Sequence, residues 1–293
     1  MTTSLDLIAH FQDLDGLLSH VIVEKRFPNQ VVHHDIKYGN EAEPFTKTHT
    51  DNIILADLGY SSSDSFKEAL KHIKKHKQDK ITRLYDHHKW PKEVISEHFT
   101  YALIDESTST TPLLENHFET DKLAKRFAQL AYNDDHDKAD SLRTPLTEVL
   151  KSSYDTHKLI KHLSNIQEIS EIIPSQATDH VQAYKENIKQ AIQRLKQTYQ
   201  QQDDFITCLS PEILYMKQGL RTAAQDHPNK NLLCLYENTN QALFSVTNSK
   251  LFNSIISRLN AGGRNLQGGI SLEEEITSRN YQRLAQEIIY QAQ

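Results

Sequence analysis

Cysteine is scarce in this chain of 293 residues, which contains only Cys208 and Cys234. Two cysteines do not make the disulfide framework of a small secreted protein, and this scarcity indicates a reducing compartment. Both lie in apolar segments, so we expect them in the core. The start of the chain, 1-MTTSLDLIAHF-11, lacks the basic and apolar regions of a signal peptide. These absences favour a cytoplasmic protein.

Basic charge and long apolar runs are also missing. The formal net charge is −6, so no general positive field can hold a long polyanion, although one local site can still hold a short nucleotide. No uninterrupted apolar stretch approaches the roughly 18 residues of a membrane-spanning helix, and we expect no membrane association. The composition, with 25% charged and 37% hydrophobic residues, is typical of a globular protein.

Three short apolar segments near the start of the chain are predicted to be buried strands, at 31–38, 52–58 and 81–86. Helical patterns lie at 16–27, before the first of them, and at 64–77. Alternation of strand and helix predicts a parallel sheet with helices on both faces. Ligands of such sheets bind beyond the carboxyl ends of the strands.

The rest of the chain predicts a different architecture. Residues 113–200 are almost wholly helical in pattern, and 182–202 has no glycine or proline and carries one apolar stripe, as a long connecting helix does. Strand patterns follow at 205–210, 231–238 and 241–248. We therefore predict an α/β protein with a parallel-sheet domain at 1–180, a connecting helix at 181–203 and a smaller α+β domain at 204–293.

Side chains that can bind metal ions follow the predicted strands. They lie in four segments, 10-HFQDLDG-16, 55-LADLGYS-61, 84-LYDHHKW-90 and 131-AYNDDHDKAD-140. Each segment alone has an ordinary explanation as a helix cap, a strand end or a solvated acidic run. Three of them, however, fall at the edge where a parallel sheet exposes its ligand site, and chance placement at one edge is improbable.

Carboxylates that share one site repel each other, so a cation is expected among them. No lysine or arginine is interleaved in the first segment, 10–16, which leaves metal ions as the counter-charge. Oxygen and imidazole ligands suit Mn²⁺, and less narrowly Mg²⁺, Co²⁺ or Zn²⁺. The candidate ligands, about six or seven, are enough for two ions roughly 3.5–4 Å apart, an arrangement that hydrolyses phosphate esters or anhydrides.

The four segments in this order resemble the motifs of the DHH phosphoesterase family. The substrate-binding domain attached to that family carries a turn of the form GGGHxxAAG, and 261-AGGRNLQGG-269 fits that frame. The resemblance covers nearly the whole chain, with a catalytic domain first and a substrate-binding domain last. The stretches 38-YGNEAEP-44 and 104-IDESTSTTP-112 further resemble the branch that contains the short-RNA exonucleases called nanoRNases.

The resemblance implies two manganese ions with a shared ligand. His10, Asp13 and Asp57 would hold one ion, and Asp15, Asp57 and His87 would hold the other together with an acid of the fourth motif. Asp57 would then bridge the two ions.

The remaining site residues are also implied by the resemblance. The fourth-motif ligand would be Asp135 or Asp137, with Asp134 less favoured. His88 would contact the scissile phosphate, and Asp86 would orient an imidazole from outside the metal ligands, a common role for a carboxylate beside such a histidine.

This sequence departs from the family pattern at two places. His10 is spaced unusually from the first aspartate, so His33 and His34 remain alternative ligands. Arg264 stands where the family has histidine; it can fork onto a phosphate but cannot exchange protons as imidazole does. Glycines let backbone N–H groups approach a phosphate closely. The residues implied to bind substrate are Gly262, Gly263, Arg264, Gly268 and Gly269.

The sequence thus predicts a manganese-dependent phosphodiesterase acting on short RNA, dinucleotides or small phosphorylated nucleotides. Two alternatives use the same fold: a phosphatase or pyrophosphatase with the same metals, and a nucleotide-binding sensor with little turnover. A homodimer is compatible with all three hypotheses.

Overall fold

The structure is a computed structural model that describes residues 4–36, 41–61, 63–77, 81–211, 214, 216–259, 261–264 and 266–292. It divides into two compact units, Met1–Tyr184 and Lys185–Gln293. Among the described residues, no helix combines the length and the apolar character that crossing a bilayer requires.

The first unit is built on a parallel sheet. Its strands are β1 (Leu5–Ala9), β2 (Val31–Asp35), β3 (Asn52–Ala56), β4 (Ile81–Asp86) and β5 (Tyr101–Ile104). They lie in the order β2-β1-β3-β4-β5, and every neighbouring pair is parallel. The chain runs from β1 outward to β2 and then crosses back to β3, so the order reverses between β1 and β3. Such a switch point opens a crevice at the carboxyl ends of the strands.

Helices cover both faces of this sheet. They are α1 (Leu14–Arg26), α2 (Ala42–Thr46), α3 (Asp64–Lys77), α4 (Lys92–His98), α5 (Thr110–Phe118), α6 (Lys122–Asp135), α7 (Arg143–Lys151) and α8 (Thr156–Asn165). One core joins β1, β3 and β4 to α1 and α5–α8, and a second joins the opposite sides of the same strands to α2 and α3. Successive strand residues point to opposite faces, which allows both cores. The predicted parallel sheet with helices on both faces is confirmed.

Strand β1 was not predicted, and its composition explains why. Asp6 lies in the middle of the strand and is fully buried. Its carboxylate accepts hydrogen bonds from the Thr50 N–H (2.8 Å), the Thr50 hydroxyl (2.7 Å) and the His49 N–H (3.1 Å). It also lies 2.6 Å from Nε2 of His34. Burial raises the pKa of Asp6, but these partners outweigh it and lower that pKa to about 2.

The second unit contains a mixed sheet. Its strands are β6 (Gln200–Gln202), β7 (Phe205–Ser210), β8 (Asn231–Tyr236), β9 (Gln241–Ser245), β10 (Gly262–Arg264) and β11 (Gln267–Ser271). They lie in the order β10-β11-β9-β8-β7-β6, in which β7 and β8 are parallel and the other pairs antiparallel. The strands predicted at 231–238 and 241–248 pair as an antiparallel hairpin, β8 and β9, and the predicted α+β character of this unit is confirmed.

Helices also cover both faces of the mixed sheet. They are α9 (Thr178–Gln197), α10 (Met216–Asp226), α11 (Ser249–Arg258) and α12 (Tyr281–Ala292). Ala191 and Leu195 of α9 pack with α10 on one face, together with Cys208 and Cys234, which are both buried free thiols. The helix predicted at 181–203 is shorter than expected at its end, because residues 200–202 pair with β7 as strand β6.

Candidate metal centre

Polar side chains meet at the carboxyl edge of the first sheet, on both sides of the switch point. His10 follows β1, Asp57 follows β3, and Asp86, His87 and His88 end or follow β4. Because the strands are parallel, their carboxyl ends lie at the same edge, and the side chains that follow them converge.

His10, Asp13 and Asp57 form the first group of converging ligands. One ligand atom of each lies within 4.8 Å of the others. His10 Nε2 is 3.1 Å from Asp57 Oδ2 and 3.7 Å from Asp13 Oδ2. The other oxygen of Asp13 accepts a hydrogen bond from the Gly16 N–H at 3.0 Å. Asp13 therefore caps α1 and faces the group at the same time.

The second group consists of Asp15, His87 and Asp135, whose ligand atoms also lie within 4.8 Å of one another. His87 Nε2 is 3.9 Å from Asp15 Oδ2 and 3.8 Å from Asp135 Oδ2. The same nitrogen lies 3.4 Å from Asp57 Oδ1. Asp57 thus presents one oxygen to each group and links them.

Asp57 is held in an unusual environment. Its φ angle is 54°, in the left-handed region that costs a non-glycine residue roughly 1 kcal/mol or more. It is 2% exposed, and its Oδ2 atom makes no hydrogen bond of acceptable geometry within the described structure, although His10 Nε2 is close. The short distance between this oxygen and His10 Nε2, 3.1 Å, places two ligand-type atoms close enough for one cation to bind both.

Burial and opposite charges compete at the imidazoles of the site. Burial opposes their protonation, but the neighbouring carboxylates, Asp57 foremost, outweigh it and raise the pKa of His10 and of His87 to about 9. Burial likewise favours a neutral Asp57, yet these two histidines lower the pKa of its carboxyl. Positive charge next to Asp57 is therefore strongly favoured.

The other carboxyls of the site are short of positive charge. Burial, and next the charge of Asp57, raise the pKa of Asp13 to about 6. The same two causes raise the pKa of Asp15 well above its usual range and raise that of Asp135. Crowded carboxyls of this kind keep their charge when a divalent cation lies among them. The ligand set, oxygen with imidazole, therefore fits Mn²⁺ or Mg²⁺.

The beginning of α5 fixes Asp15. Its carboxylate accepts the N–H groups of Thr110 and Thr111, each at 2.8 Å, and the Thr111 hydroxyl donates to the Asp15 carbonyl at 2.9 Å. A helix beginning with free N–H groups favours a carboxylate there. No role was predicted for these threonines, although they lie within the 104–112 stretch, because only the fold brings them 95 or more residues back to Asp15.

Asp86 organises the residues beside the metal groups. Its Oδ1 atom accepts the His88 N–H at 2.9 Å and lies 2.7 Å from His88 Nδ1. Its Oδ2 atom accepts from the Leu58 N–H at 3.1 Å and from Trp90 Nε1 at 2.8 Å. A carboxylate used in this way has little capacity left for a metal ion. It fixes the His88 ring, which leaves Nε2 for another partner.

Replacing Asp86 with asparagine is expected to lower the pKa of His88 in the metal-free protein. The hydrogen bond from His88 to Asp86 is the main cause that raises this pKa, against the effect of burial. In the variant, His88 should therefore lose its proton at lower pH. NMR titration of the histidine rings measures the change, with the ring of His117 as an internal control that should not move. An unchanged pKa of His88 would contradict the role given to Asp86.

The structure separates the candidates of the fourth motif. Asp135 lies in the second group, whereas Asp137 is highly exposed and forms an ion pair with Arg143 at 2.9 Å. Asp134 contacts Nε of the same arginine. We therefore favour Asp135 over Asp137 as the ligand.

His33 and His34 are engaged away from both groups. His33 lies 2.9 Å from Nδ1 of His20 and 3.0 Å from Glu24, and His34 pairs with Asp6. Both histidines lie on β2, at the outer edge of the sheet. The structure therefore places His10, and neither alternative, next to Asp13 and Asp57.

The glycine-rich turn of the second unit is the hairpin of β10 and β11, with Gly262 opposite Gly269 and Gly263 opposite Gly268. A side chain at Gly263 would lie 2.4 Å from the Gln267 carbonyl oxygen, and one at Gly268 would meet Phe244 at 2.5 Å. These two glycines have a packing role. Among the described residues, nothing lies within 4 Å of where a side-chain carbon at Gly262 would be. Parts of two sequence motifs lie outside the described residues. They are the side chain of Arg264, residue Asn265, and residues 38–40 of the 38–44 stretch.

Comparison with known proteins gives no match by sequence, because no family model and no curated protein matches the chain. Solved structures do match. The DHH domain of a member of a ribosomal protein family is 12% identical with a TM-score of 0.67, covering 99% of this chain and 86% of its own. Exonuclease RecJ bound to manganese is 11% identical with a TM-score of 0.61, covering 99% and 90%.

A third structure is the pGpG-specific phosphodiesterase PggH from Vibrio cholerae. It is 12% identical, has a TM-score of 0.58 and covers 99% of this chain and 98% of its own. Identities this low establish a common fold and not a common activity. The chain therefore has the fold of the DHH proteins, which confirms the predicted resemblance at the level of the fold.

Proposed function

We propose that this protein is a metal-dependent phosphodiesterase that hydrolyses dinucleotides or short oligoribonucleotides at a site for two divalent ions, Mn²⁺ foremost. The observation that carries the proposal is the pair of ligand groups joined by Asp57. Support comes also from the fold, which the chain shares with a manganese-bound exonuclease and with a phosphodiesterase named for pGpG.

The proposal assigns the ligands by position. His10 and Asp13 would hold one ion, Asp15, His87 and Asp135 the other, and Asp57 both. Two such ions, when bound, would supply Lewis-acid activation of the phosphate and of a water molecule at neutral pH. The chain contributes the geometry: Asp57 is buried directly after β3, and Asp15 is held by the beginning of α5.

His88 is proposed to act on the phosphate itself. Its Nδ1 atom is held by Asp86, and its side chain is 40% exposed, in contrast to the buried Asp86. A raised pKa keeps more of the ring protonated near neutral pH, so Nε2 can donate a hydrogen bond or a proton to an oxygen of the scissile group. Asp86 is a positioning residue, since its oxygens are occupied by the protein.

A short substrate fits the charge of the chain. The net charge of −6 provides no extended positive surface for a long nucleic acid. We further propose that the hairpin of β10 and β11 binds a phosphate group, with Gly262 as the position that it approaches. The resemblance of 104–112 to nanoRNases favours RNA of a few nucleotides.

The proposal is tested by incubating the protein and Mn²⁺ with a labelled dinucleotide, a five-nucleotide RNA, a cyclic dinucleotide and pyrophosphate. We expect hydrolysis of the dinucleotide and the short RNA, and none after chelation of the metal with EDTA. Hydrolysis of pyrophosphate alone would replace the proposal with a pyrophosphatase. Binding of the dinucleotide without turnover would replace it with a nucleotide sensor.

A further inference from the structure

One large apolar side chain is exposed at the carboxyl edge of the first sheet. Tyr60 is 39% exposed and lies three residues after Asp57. The other exposed large apolar residues in the described part of the first unit lie elsewhere: Ile81 and Tyr101 begin β4 and β5 at the opposite edge, and Val32 lies on the outer strand β2. Single exposed aromatics are common, so position and surroundings must distinguish Tyr60.

Tyr60 is held firmly by two buried aromatic rings. Its ring centroid lies 5.7 Å from that of Phe66 at 84°, and 5.7 Å from that of Trp90 at 60°. Phe66 and Trp90 themselves pack at 5.7 Å. Edge-to-face contacts of this kind are favourable for aromatic pairs. Tyr60 is thus an exposed ring that packs on two buried rings, and it has little side-chain freedom left to lose when a ligand binds it.

Trp90 also connects Tyr60 to the part of the site that contains His88. Trp90 donates from Nε1 to Asp86 Oδ2 at 2.8 Å, and Asp86 Oδ1 holds His88. Gly59, the residue before Tyr60, lies so close to His88 that a side-chain carbon there would be 3.4 Å from the imidazole. Tyr60 therefore directly follows a residue that approaches the His88 ring, and its ring packs on Trp90, which donates to the carboxylate that holds His88.

We propose that Tyr60 is the platform on which a base of the substrate stacks while the adjacent phosphate lies at the metal centre. The inference rests on the proposed phosphodiesterase function and narrows its substrate class to nucleotides. A rigid exposed ring beside the reacting group offers a π-face to any base, without a preference for sequence, because every base has such a face. Pyrophosphate and polyphosphate contain no base that could stack on the ring of Tyr60.

The test compares two substrates with Mn²⁺: the dinucleotide pApA, and the same molecule with both bases replaced by hydrogen. Tyr60→Ala is expected to lower kcat/KM for pApA roughly 5- to 100-fold, mainly through KM, because a stacked base binds in the ground state and the transition state alike. Hydrolysis of the abasic analogue should stay within about twofold, since it has no base to lose. Tyr60→Trp should keep the preference for pApA.

Tyr101→Ala is the matched control. Tyr101 is 40% exposed, packs on aromatic rings and begins β5 at the opposite edge of the sheet. This variant should therefore leave kcat/KM for both substrates unchanged. Trp90 is the single tryptophan of the chain, and its emission should change when pApA is added to the wild type but much less with Tyr60→Ala. This second measurement reports binding rather than turnover.

The outcomes separate the inference from the function on which it depends. If the wild type hydrolyses neither substrate, the phosphodiesterase proposal fails. If it hydrolyses both and Tyr60→Ala lowers both equally, Tyr60 only supports the local structure and the platform is refuted. If Tyr60→Ala changes neither, the platform is refuted as well.

Discussion

Replacing Asp57 with asparagine is expected to lower kcat/KM for the dinucleotide by at least about a thousandfold, a loss of several kcal/mol of transition-state stabilisation. Asp57 presents one oxygen to each group of ligands and is the carboxylate that both share. Asparagine has nearly the same shape but carries no charge and only one oxygen. Steady-state kinetics at saturating Mn²⁺ measure the activity, and isothermal titration calorimetry measures the loss of metal affinity.

The control for this variant is Asp105→Asn. Asp105 follows β5 at the same edge of the sheet, but it is exposed and its carboxylate accepts from the N–H and hydroxyl of Ser107. We expect this variant to keep wild-type activity within about twofold, because exposed groups of this kind contribute little. If Asp57→Asn retained more than about a tenth of the activity, against the loss expected from a bridging ligand, the bridging role of Asp57 would be wrong.

Gly16→Ala is expected to disrupt the metal centre through the backbone. A side-chain carbon at Gly16 would lie 2.1 Å from the carbonyl oxygen of His10 and 3.0 Å from its Nδ1 atom. The chain between these residues carries Asp13 and Asp15, so relief of the overlap would move these two ligands and His10 together. We expect a loss of about 2–3 kcal/mol in the free energy of unfolding, measured by urea denaturation, and a fall of at least tenfold in Mn²⁺ affinity, by analogy with displaced ligand-supporting groups.

Gly59→Ala is the matched glycine variant. A side chain there would contact the His88 ring at 3.4 Å, which is ordinary van der Waals distance, so we expect a change in unfolding free energy below about 1 kcal/mol. If Gly16→Ala kept the stability and the metal affinity of the wild type, the contact between α1 and His10 would be looser than it is in the structure.

The strand ends and the residues that follow them were predictable from the sequence. β3 is an almost continuous apolar run and β4 carries the apolar Ile81, Leu84 and Tyr85, and their alternation with helical patterns places Asp57 and His87 at the edge of a parallel sheet. The helix at 64–77 was also predicted with its bounds, since its apolar residues recur at helical spacing.

Other features of the site depend on contacts between distant segments. β1 contains the buried Asp6, whose partners come from residues 34, 49 and 50, and the local sequence does not show that these distant residues pair with it. The choice of Asp135 over Asp137 depends on Arg143, which forms an ion pair with Asp137. The pairing of Asp15 with the beginning of α5 likewise follows from packing between helices and has no local signal.

A crystal of the protein soaked in MnCl₂ and recorded at the manganese edge tests most directly whether two cations are held around Asp57. We predict two anomalous peaks roughly 3.5–4 Å apart, one contacted by His10, Asp13 and Asp57 and the other by Asp15, Asp57, His87 and Asp135. A single peak away from Asp57, or no peak among these residues at millimolar Mn²⁺, would contradict it.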